Sequence, residues 1–570
     1  MDTGSNNPAE PGRTEPQPDA NTPGDGGNHP VFRDRRKLLF AMGVGAVNVA
    51  ALRRVGGGRQ AVERTAGAKT HTPIPAAPRR SDAASAAPFD PSAETIHLTA
   101  AATAELPPPL PGAAEMPPEG HVYDLVISDG RVIDPGSGFD GMAHIGIDGD
   151  TITGISATPL TGTRRIDATG RIVSPGFIDL LSAEPNQFGV WFKLADGVTT
   201  NLAMHGVNNY AEAFFRRYEN LTPIHFGGAF HHHFMRGVDM KVGIEDELAD
   251  GQLATLTSLA ETNLARGFAG ISFSPEYSPG TSTDEMHRLV QLAASRGHAS
   301  FFHVRHSDPN PPGTSLEAIE EVLAIAAATG AAVHIEHLSS TGGTFVMHQA
   351  IELINAYRST GLDVTACIYP YDFWGTFLGS SRFALGWQER YRLTEADLQV
   401  AGTAERLTAD TFGAALAANK LVAAHGSIPE EEIQLALAEP WVLVASDAIP
   451  TVGRNNHPRG AGTFARTIGR YVRDLGVLDL REGLAKITIG PARRMESMIP
   501  AMAAKGRLQR GADADIVVFD PLTIGDRSTV AEPAVASVGI DWVLVDGQIA
   551  LRAGRPDKSV LAGRPLRSRW

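Results

Sequence analysis

The sequence predicts an α/β protein: a parallel (β/α)8 barrel of the TIM type with a small β-sandwich domain built from both flanks of the barrel. Three observations predict this fold. Between residues 174 and 503, short apolar strands alternate with helical stretches. Strands that alternate with period two and turn at Asp-Gly precede this region, and similar strands follow it. Several predicted barrel strands end on a histidine or an aspartate, and a parallel barrel gathers its strand ends at one rim.

The composition is that of a large globular chain. Of its 570 residues, 42% are hydrophobic and 20% are charged, which allows a sizeable core. The formal net charge is −14 and no basic stripe runs along the chain, so we expect no nucleic-acid partner. The single cysteine, Cys367, lies in a strand-like run and predicts neither a disulfide framework nor a thiolate metal site.

The first 121 residues are predicted to lie outside the folded core. Residues 1–67 combine a disordered arm with a Tat-like signal segment, in which Arg35-Arg36-Lys37 precede the uncharged run 38–52. That run is too short to span a bilayer comfortably, so we expect an exported (periplasmic or secreted) protein with no stable membrane span after signal processing. An amphipathic or buried helix is the alternative, and the protein is cytoplasmic if the signal is not functional. Residues 68–121 are interpreted as a Pro/Ala-rich linker.

The small β-domain is predicted from residues 122–173 and 504–570. Its first part contains hairpin strands such as Tyr123-Asp-Leu-Val-Ile-Ser-Asp-Gly. The second part repeats this strand chemistry in Ala514-Asp-Ile-Val-Val-Phe-Asp and Trp542-Val-Leu-Val-Asp-Gly. We therefore expect the two flanks to complete one domain.

The barrel region, residues 174–503, carries the candidate chemistry. One of its predicted helices starts with Ser315 as N-cap and has apolar residues at helical spacing. The four strand-end side chains are His205, His303, His337 and Asp447. Because the carboxyl ends of all barrel strands meet at one rim, we expect these groups to converge. Three imidazoles and one carboxylate are the composition of a zinc site with one open position.

Two points about the histidines stay open. The triple His231-His232-His233 ends another strand, and one of these rings is the main rival to His205 as the third ligand. A lone strand-end histidine is more often a hydrogen-bonded rim residue, so the ligand interpretation depends on several such residues in separate units. Strand alternation puts His334 opposite His337, so we expect His334 to pack against the surrounding helices.

The same region carries a set of short motifs. They are Gly176-Phe-Ile-Asp, Gly197-Val-Thr-Thr, Gly270-Ile-Ser-Phe-Ser-Pro-Glu-Tyr-Ser-Pro-Gly, His303-Val-Arg, Glu336-His-Leu, Tyr369-Pro-Tyr, Ser446-Asp and His457-Pro-Arg-Gly-Ala-Gly-Thr-Phe-Ala-Arg. With these motifs, residues 123 to about 560 resemble the N-acyl-D-amino-acid amidohydrolases, the D-aminoacylase family of the metal-dependent amidohydrolase superfamily.

The resemblance implies a tightly held zinc. Its ligands would be His303, His337 and a cysteine a few residues after Gly197-Val-Thr-Thr. In this chain that neighbourhood holds His205 and no cysteine. Zinc accepts nitrogen in place of sulfur, so His205 is the expected third ligand.

The chain departs from the family after the first barrel strand. The family has a His-x-His pair there, which serves a second, weaker metal position. Leu181 and Ala183 take these places here. The resemblance, corrected for this loss, implies one Zn²⁺ per chain.

The resemblance also implies roles for other residues. Asp447 would be the catalytic acid/base, which takes a proton from the attacking water and returns it to the leaving amine. Arg459 would clamp the substrate α-carboxylate. Tyr369 or Tyr371 could donate to the scissile carbonyl oxygen. The remaining expected substrate-binding residues are His457, from the motif that contains Arg459, and Ser339, which replaces a lysine common in the family and leaves the substrate's identity open.

The expected function is zinc-dependent hydrolysis of the amide bond of an N-acyl-D-amino acid or a related N-acyl amine. The expected partner is therefore a small molecule, and the oligomeric state stays open. One alternative is a catalytically decayed barrel that binds a small molecule, since the His-x-His pair is missing. Another is an amidohydrolase for a different amide, a cyclic imide or a dipeptide.

Overall fold

The computed structural model describes residues 105–311, 313–452 and 457–569, and the predicted signal segment lies outside the described residues. The strands are β1 Val122–Asp134, β2 Phe139–Asp148, β3 Thr151–Ser156, β4 Thr161–Asp167, β5 Ile172–Pro175, β6 Phe177–Asp179, β7 Val198–Val207, β8 His225–His231, β9 Ile271–Phe273, β10 Ser300–Phe302, β11 Val333–Ile335, β12 Val364–Ile368, β13 Phe373–Phe377, β14 Leu398–Val400, β15 Leu421–His425, β16 Val442–Val444, β17 Ile516–Phe519, β18 Ile540–Val545, β19 Gln548–Arg552 and β20 Arg555–Pro556. The α-helices are α1 Gly189–Ala195, α2 Ala211–Tyr218, α3 His232–Phe234, α4 Asp250–Ala265, α5 Thr283–Ser295, α6 Ser315–Thr329, α7 Met347–Arg358, α8 Trp387–Tyr391, α9 Ala409–Ala417, α10 Glu430–Ala438, α11 Arg459–Arg466, α12 Leu480–Ile487 and α13 Ile489–Glu496.

Eight parallel strands form the barrel, in the spatial order β16-β12-β11-β10-β9-β8-β7-β6. The two end strands approach each other just beyond their carboxyl ends. There the backbone N–H of Asp447 donates to the carbonyl of Leu181 at 2.7 Å. The predicted (β/α)8 fold class is confirmed.

The barrel strands carry apolar side chains on both faces. Outward residues such as Val333 and Ile335 pack into one large cluster with the surrounding helices. Inward residues such as Phe301 and Leu443 form a separate cluster inside the barrel. Because side chains alternate along a strand, position 334 of β11 and position 336 just after it face inward.

Helix α6 shows how local sequence starts and ends the barrel helices. The Thr314 hydroxyl accepts from the N–H of Glu317, and the Glu317 carboxylate accepts from the N–H of Thr314, which forms a capping box. The helix ends at Thr329 and is capped by Gly330, whose φ of 67° suits glycine. The predicted cap, Ser315, is wrong by one residue, because Ser315 is already the first helical residue.

The small β-domain is one nine-stranded sheet that both flanks build, in the order β20-β19-β18-β17-β5-β1-β2-β3 with β4 paired to β1. The flanks join where β5 pairs antiparallel with β17. The sheet folds over its own apolar core, which includes Leu125, Ile145 and Ile516. The predicted contribution of both flanks is therefore confirmed.

A three-stranded antiparallel sheet, β13-β15-β14, is inserted between barrel strands β12 and β16. This sheet was not predicted from the sequence. It brings Phe373 against the ring of His457, with 4.6 Å between ring centroids, and so supports the segment that enters α11. Within the described part of the chain, no helix is long and apolar enough to cross a membrane.

Candidate metal centre

The four predicted strand-end residues converge at the carboxyl ends of β7, β10, β11 and β16. The ring centroids of His303 and His337 are 4.7 Å apart, and that of His205 lies 6.1 Å from His303 and 5.9 Å from His337. An Asp447 carboxylate oxygen lies 3.8 Å from Nε2 of His337. Residues from four separate strands thus share one centre, as the barrel geometry predicts.

His337 reaches this centre through an unusual backbone conformation. Glu336 faces inward by alternation, so a regular strand would turn His337 outward. His337 instead has a φ of 28°, which ends the strand and returns its side chain to the centre. The expectation for His334 is therefore wrong: it shares the inward face with Glu336 and contacts Phe301 and Thr365, not the surrounding helices.

Glu336 is a member of the centre that the sequence analysis missed as a functional residue. Its side chain is 0% exposed. Oε2 lies 2.6 Å from Nδ1 of His205 and 4.0 Å from Nε2 of His337, and Oε1 accepts from the Ser272 hydroxyl at 3.2 Å. A carboxylate immediately before a strand-end histidine was the available signal.

His303 has both ring nitrogens engaged. Nε2 lies 2.5 Å from a Glu276 carboxylate oxygen, and an N–H group at Nε2 would leave Nδ1 with the lone pair that a metal needs. Nδ1 lies 3.1 Å from Nε2 of His337. A carboxylate behind a histidine in this way is the arrangement that orients metal-binding imidazoles.

Glu276 is itself fixed by a buried network. Arg382 donates to its carboxylate at 3.2 Å and the Ser307 hydroxyl donates at 2.6 Å. Burial alone would raise the pKa of Glu276, but Arg382 and His303 lower it to about 2. The carboxylate is therefore ionised at neutral pH and holds His303 in one orientation. Glu276 lies within one of the motifs of the resemblance, but neither Glu276 nor Arg382 was predicted as a functional residue.

Asp447 is paired with Arg459 in the same centre. A guanidinium N–H group of Arg459 lies 3.0 Å from a carboxylate oxygen of Asp447, and the guanidinium stacks 4.2 Å from the ring centroid of Tyr369. Burial opposes ionisation of Asp447, yet Arg459 and then His337 hold its pKa well below its ordinary value. Asp447 is therefore an ionised carboxylate, the form that a base requires.

The protonation of the histidines differs across the centre. Burial lowers the pKa of His337 well below its ordinary value, so its ring is neutral and has a nitrogen free to bind a metal. Burial also lowers the pKa of His205, but the carboxylates of Glu336 and Asp447 outweigh this effect and raise that pKa to about 9. His205 is also 30% exposed, whereas His303 and His337 are buried.

The other predicted substrate-binding residues lie in packing positions. Tyr371 donates from its hydroxyl to Asp526 at 3.3 Å. His457 accepts from the N–H of Arg459 at 3.1 Å and contacts the carbonyl of Phe373 at 3.3 Å, so both its ring nitrogens are engaged. Ser339 is fully buried in the turn that follows His337.

The triple histidine lies beside the centre. Nδ1 of His231 contacts the side-chain oxygen of Asn208 at 2.8 Å, and its ring centroid is 6.2 Å from that of His205. His232 contacts Glu285 at 2.6 Å, and His233 contacts Ser278. Among the described residues, two groups of three have potential ligand atoms within 4.8 Å of one another. One group is His205, His337 and Asp447, and the other is His303, Glu336 and His337. The triple contributes to neither.

Of the two residues at the place of the missing His-x-His pair, Leu181 is buried and Ala183 is exposed. Leu181 belongs to the cluster inside the barrel. Two residues earlier, Asp179 accepts from Nζ of Lys193 at 2.5 Å and from the Ser446 hydroxyl at 2.6 Å. The first barrel strand thus supports Asp447 through its neighbour Ser446 and offers no imidazole.

Comparison with known proteins agrees with this geometry. The sequence profile described as the amidohydrolase family matches residues 274–551. N-acyl-D-glutamate deacylase of Alcaligenes xylosoxydans xylosoxydans is 32% identical over 464 residues, which cover 74% of this chain and 93% of the relative. D-aminoacylase of the same organism is 27% identical over 468 residues, with 75% and 94% covered.

A solved structure is also similar. It is N-acyl-D-glutamate deacylase from Bordetella bronchiseptica, complexed with zinc and a phosphonate inhibitor that mimics the tetrahedral intermediate of the reaction. It is 26% identical and superposes with a TM-score of 0.68 over 78% of this chain and 100% of that chain. The barrel carries imidazoles and carboxylates at its strand ends, and the chain matches the amidohydrolase profile. Together these features define a metal-dependent amidohydrolase. Within that class, the chain belongs to the D-aminoacylase family, and it is a hydrolase of linear amide bonds.

Proposed function

We propose that this protein hydrolyses the amide bond of N-acyl-D-amino acids with one zinc ion per chain. The observation that carries the proposal is the buried group of His303, Glu336 and His337 at the centre of the rim, with Asp447 ionised and Arg459 beside it. The relatives named above, which act on N-acyl-D-amino acids, support the substrate class.

The residues of the centre fit zinc. Bond lengths of about 2.0–2.1 Å and tetrahedral angles place two ligand nitrogens about 3.3 Å apart, close to the 3.1 Å between Nδ1 of His303 and Nε2 of His337. The predicted ligands His205, His303 and His337 and the carboxylate Glu336 surround the position. Bound zinc supplies Lewis acidity and lowers the pKa of water that it coordinates.

Asp447 transfers protons, and Arg459 binds the substrate. The ionised carboxylate of Asp447 takes a proton from the attacking water and returns it to the leaving amine. Arg459 offers a planar guanidinium to the substrate α-carboxylate, and its stacking on Tyr369 fixes the plane. Tyr369 lies against this guanidinium, where its hydroxyl can donate to the scissile carbonyl oxygen.

The substrate's handedness and side chain are the finer part of the proposal. We assign the D configuration from the relatives. Ser339 stands where a cationic side chain is common in the family, so we expect neutral substrate side chains to be accepted at least as well as acidic ones.

A panel of N-acyl-D- and N-acyl-L-amino acids tests this function, assayed with zinc-loaded protein and its Asp447→Asn variant. We expect release of D-amino acids, about one zinc per chain, and a loss of at least ~10²-fold in kcat in the variant, whose amide cannot act as a base. Stoichiometric zinc in both proteins would show that the loss is chemical. Folded protein without zinc would instead favour a decayed barrel that binds small molecules, and equal rates in both proteins would remove Asp447 from the mechanism.

We further propose that the protein is exported. The support is the twin arginine at Arg35-Arg36 before an uncharged run. Expression of the full chain and of its Arg35→Lys/Arg36→Lys variant tests this. Wild-type protein is expected in the exported fraction and the variant in the cytoplasm, and equal distribution of both would contradict export by this route.

A further inference from the structure

We propose that Glu336 is a direct ligand of the zinc ion, in a His2Glu set with His303 and His337, and that His205 acts from outside this set as a hydrogen-bond donor to Glu336. This inference rests on the proposed function, because it assigns the ligands of the same metal site. It replaces the three-imidazole set that the sequence predicted.

The first argument is that Glu336 is buried without a lysine or arginine partner among the described residues. The side chain is 0% exposed, and an isolated buried carboxylate is strongly destabilising. The ion-pair partners of Glu336 among the described residues are the imidazoles of His205 and His337, not a lysine or an arginine. Asp447, by contrast, has Arg459, and Glu276 has Arg382. Glu336 is thus a buried carboxylate held by imidazoles, and a bound divalent cation would stabilise its charge directly.

The second argument is the spacing of the donor atoms. One donor atom from each of His303, Glu336 and His337 lies within 4.8 Å of the others, and all three residues are buried. The 3.1 Å between the two imidazole nitrogens is close to the separation of ligands on one metal ion. Nδ1 of His205, however, is only 2.6 Å from Oε2 of Glu336, which is a hydrogen-bond distance and too short for two ligands at tetrahedral angles.

The third argument is the chemistry of the set. Two histidines and one glutamate are an established ligand set for zinc that hydrolyses amide bonds, with the fourth position open. One anionic ligand also lowers the charge of the buried centre by one relative to three neutral imidazoles. Metal-binding carboxylates are normally hydrogen-bonded in turn, and Ser272 and His205 satisfy the two oxygens of Glu336 in this way.

The test compares zinc affinity among three variants of the full chain, measured by competition with a chromophoric chelator. Glu336→Gln keeps an oxygen that can accept from His205 but removes the anionic ligand. His205→Gln removes the imidazole. Glu285→Gln is the matched control, because it alters another buried carboxylate in contact with a histidine, His232, outside the centre.

We expect Glu336→Gln to weaken zinc binding more than 100-fold, beyond the 10–100-fold range typical of outer-shell partners, and His205→Gln to fall within that range. Glu285→Gln should change zinc affinity less than about threefold, since it touches no donor. The inference is overturned if His205→Gln weakens zinc as much as Glu336→Gln, or if Glu336→Gln loses less than 100-fold relative to the control.

A measurement on the unmodified protein keeps the inference testable if a variant fails to fold. X-ray absorption of the zinc-loaded wild type should count two imidazoles, with oxygen in the remaining positions. Three imidazoles would overturn the ligand assignment and leave the proposed function intact. Wild-type protein that binds no zinc would contradict the proposed function itself.

Discussion

At the level of single residues, one backbone conformation assembles the centre. The φ of 28° at His337 lets two consecutive side chains, Glu336 and His337, face the same point. Asp447, with a φ of 49°, turns in the same way at the end of β16. Non-glycine residues seldom adopt such values, and they concentrate at functional sites where packing holds them in place. Here the neighbouring barrel strands provide that packing.

Substitution of Arg459 tests its proposed contact with the substrate carboxylate. Arg459→Met should lower kcat/KM for N-acyl-D-amino acids by ~10- to 150-fold, mainly through KM, because a charge-assisted contact to the substrate carboxylate is worth about 1.5–3 kcal/mol. Zinc content should not change. Steady-state kinetics with the acid and with the corresponding amide of the same substrate measure the effect.

The amide substrate provides the internal control. In the wild type it should be the poorer substrate, and in Arg459→Met the two substrates should become nearly equal. Arg473→Met serves as the protein control, because Arg473 contacts Asp474 and the carbonyl of Ile524 away from the centre. If the amide and the acid still differ by the wild-type factor in Arg459→Met, Arg459 does not bind the carboxylate.

At the level of elements, α1 and β6 hold β16 in place through a buried ion pair. Lys193 of α1 contacts both Asp179 of β6 and Ser446, the residue before Asp447. Asp179 also accepts from the backbone N–H of Ser446 at 3.0 Å. The first barrel strand therefore helps to position Asp447, the proposed catalytic carboxylate.

Lys193→Met should lower the free energy of unfolding by about 3–5 kcal/mol, because it leaves the buried carboxylate of Asp179 without its cation. Urea unfolding followed by circular dichroism measures this. Lys420→Met is the matched control: Lys420 forms an exposed pair with Glu405, 3.4 Å long, and should cost no more than about 1 kcal/mol. Equal effects of the two substitutions would show that the buried pair does not carry this stability.

The elements also show what the sequence could predict. The apolar runs before His303, His337 and Asp447 marked the strand ends, because a short buried strand has to stop where polar side chains begin. Glu336 and His337 were not predicted to face the same point, since period-two alternation assumes a regular strand and His337 breaks it. The inserted sheet β13-β15-β14 was missed for a similar reason: its strands lie within a stretch that otherwise continues the pattern of the barrel.

At the level of the whole molecule, the candidate metal centre and the joint between barrel and β-domain lie at opposite ends of the barrel. The centre occupies the carboxyl ends of the strands. At the amino end of β8, His225 contacts Asp515, the residue before β17, at 3.1 Å, and Lys505 donates to the same carboxylate at 2.7 Å. This buried network ties the second flank of the β-domain to the barrel. Substitutions at the two ends of the barrel can thus test function and stability separately.

The C-terminal segment closes the amino end of the barrel and gives the last prediction. The N–H of Leu566 donates to the carbonyl of Phe226 at 2.7 Å, and the N–H of Phe226 donates to the carbonyl of Arg564 at 3.1 Å. The Leu566 side chain is buried in the cluster inside the barrel. Leu566→Ala should therefore lower the free energy of unfolding by about 2–5 kcal/mol through lost burial and the cavity left behind.

The same substitution should leave kcat and zinc affinity unchanged, because Leu566 lies at the end of the barrel opposite the metal centre. Leu561→Ala, five positions earlier and 41% exposed, is the matched control and should change stability by less than about 0.5 kcal/mol. Urea unfolding and steady-state kinetics on both variants measure the two effects separately. A loss of activity in Leu566→Ala at temperatures where it remains folded would show that the two ends of the barrel are coupled. A stability change no larger than that of the control would show that the C-terminal segment does not close the core.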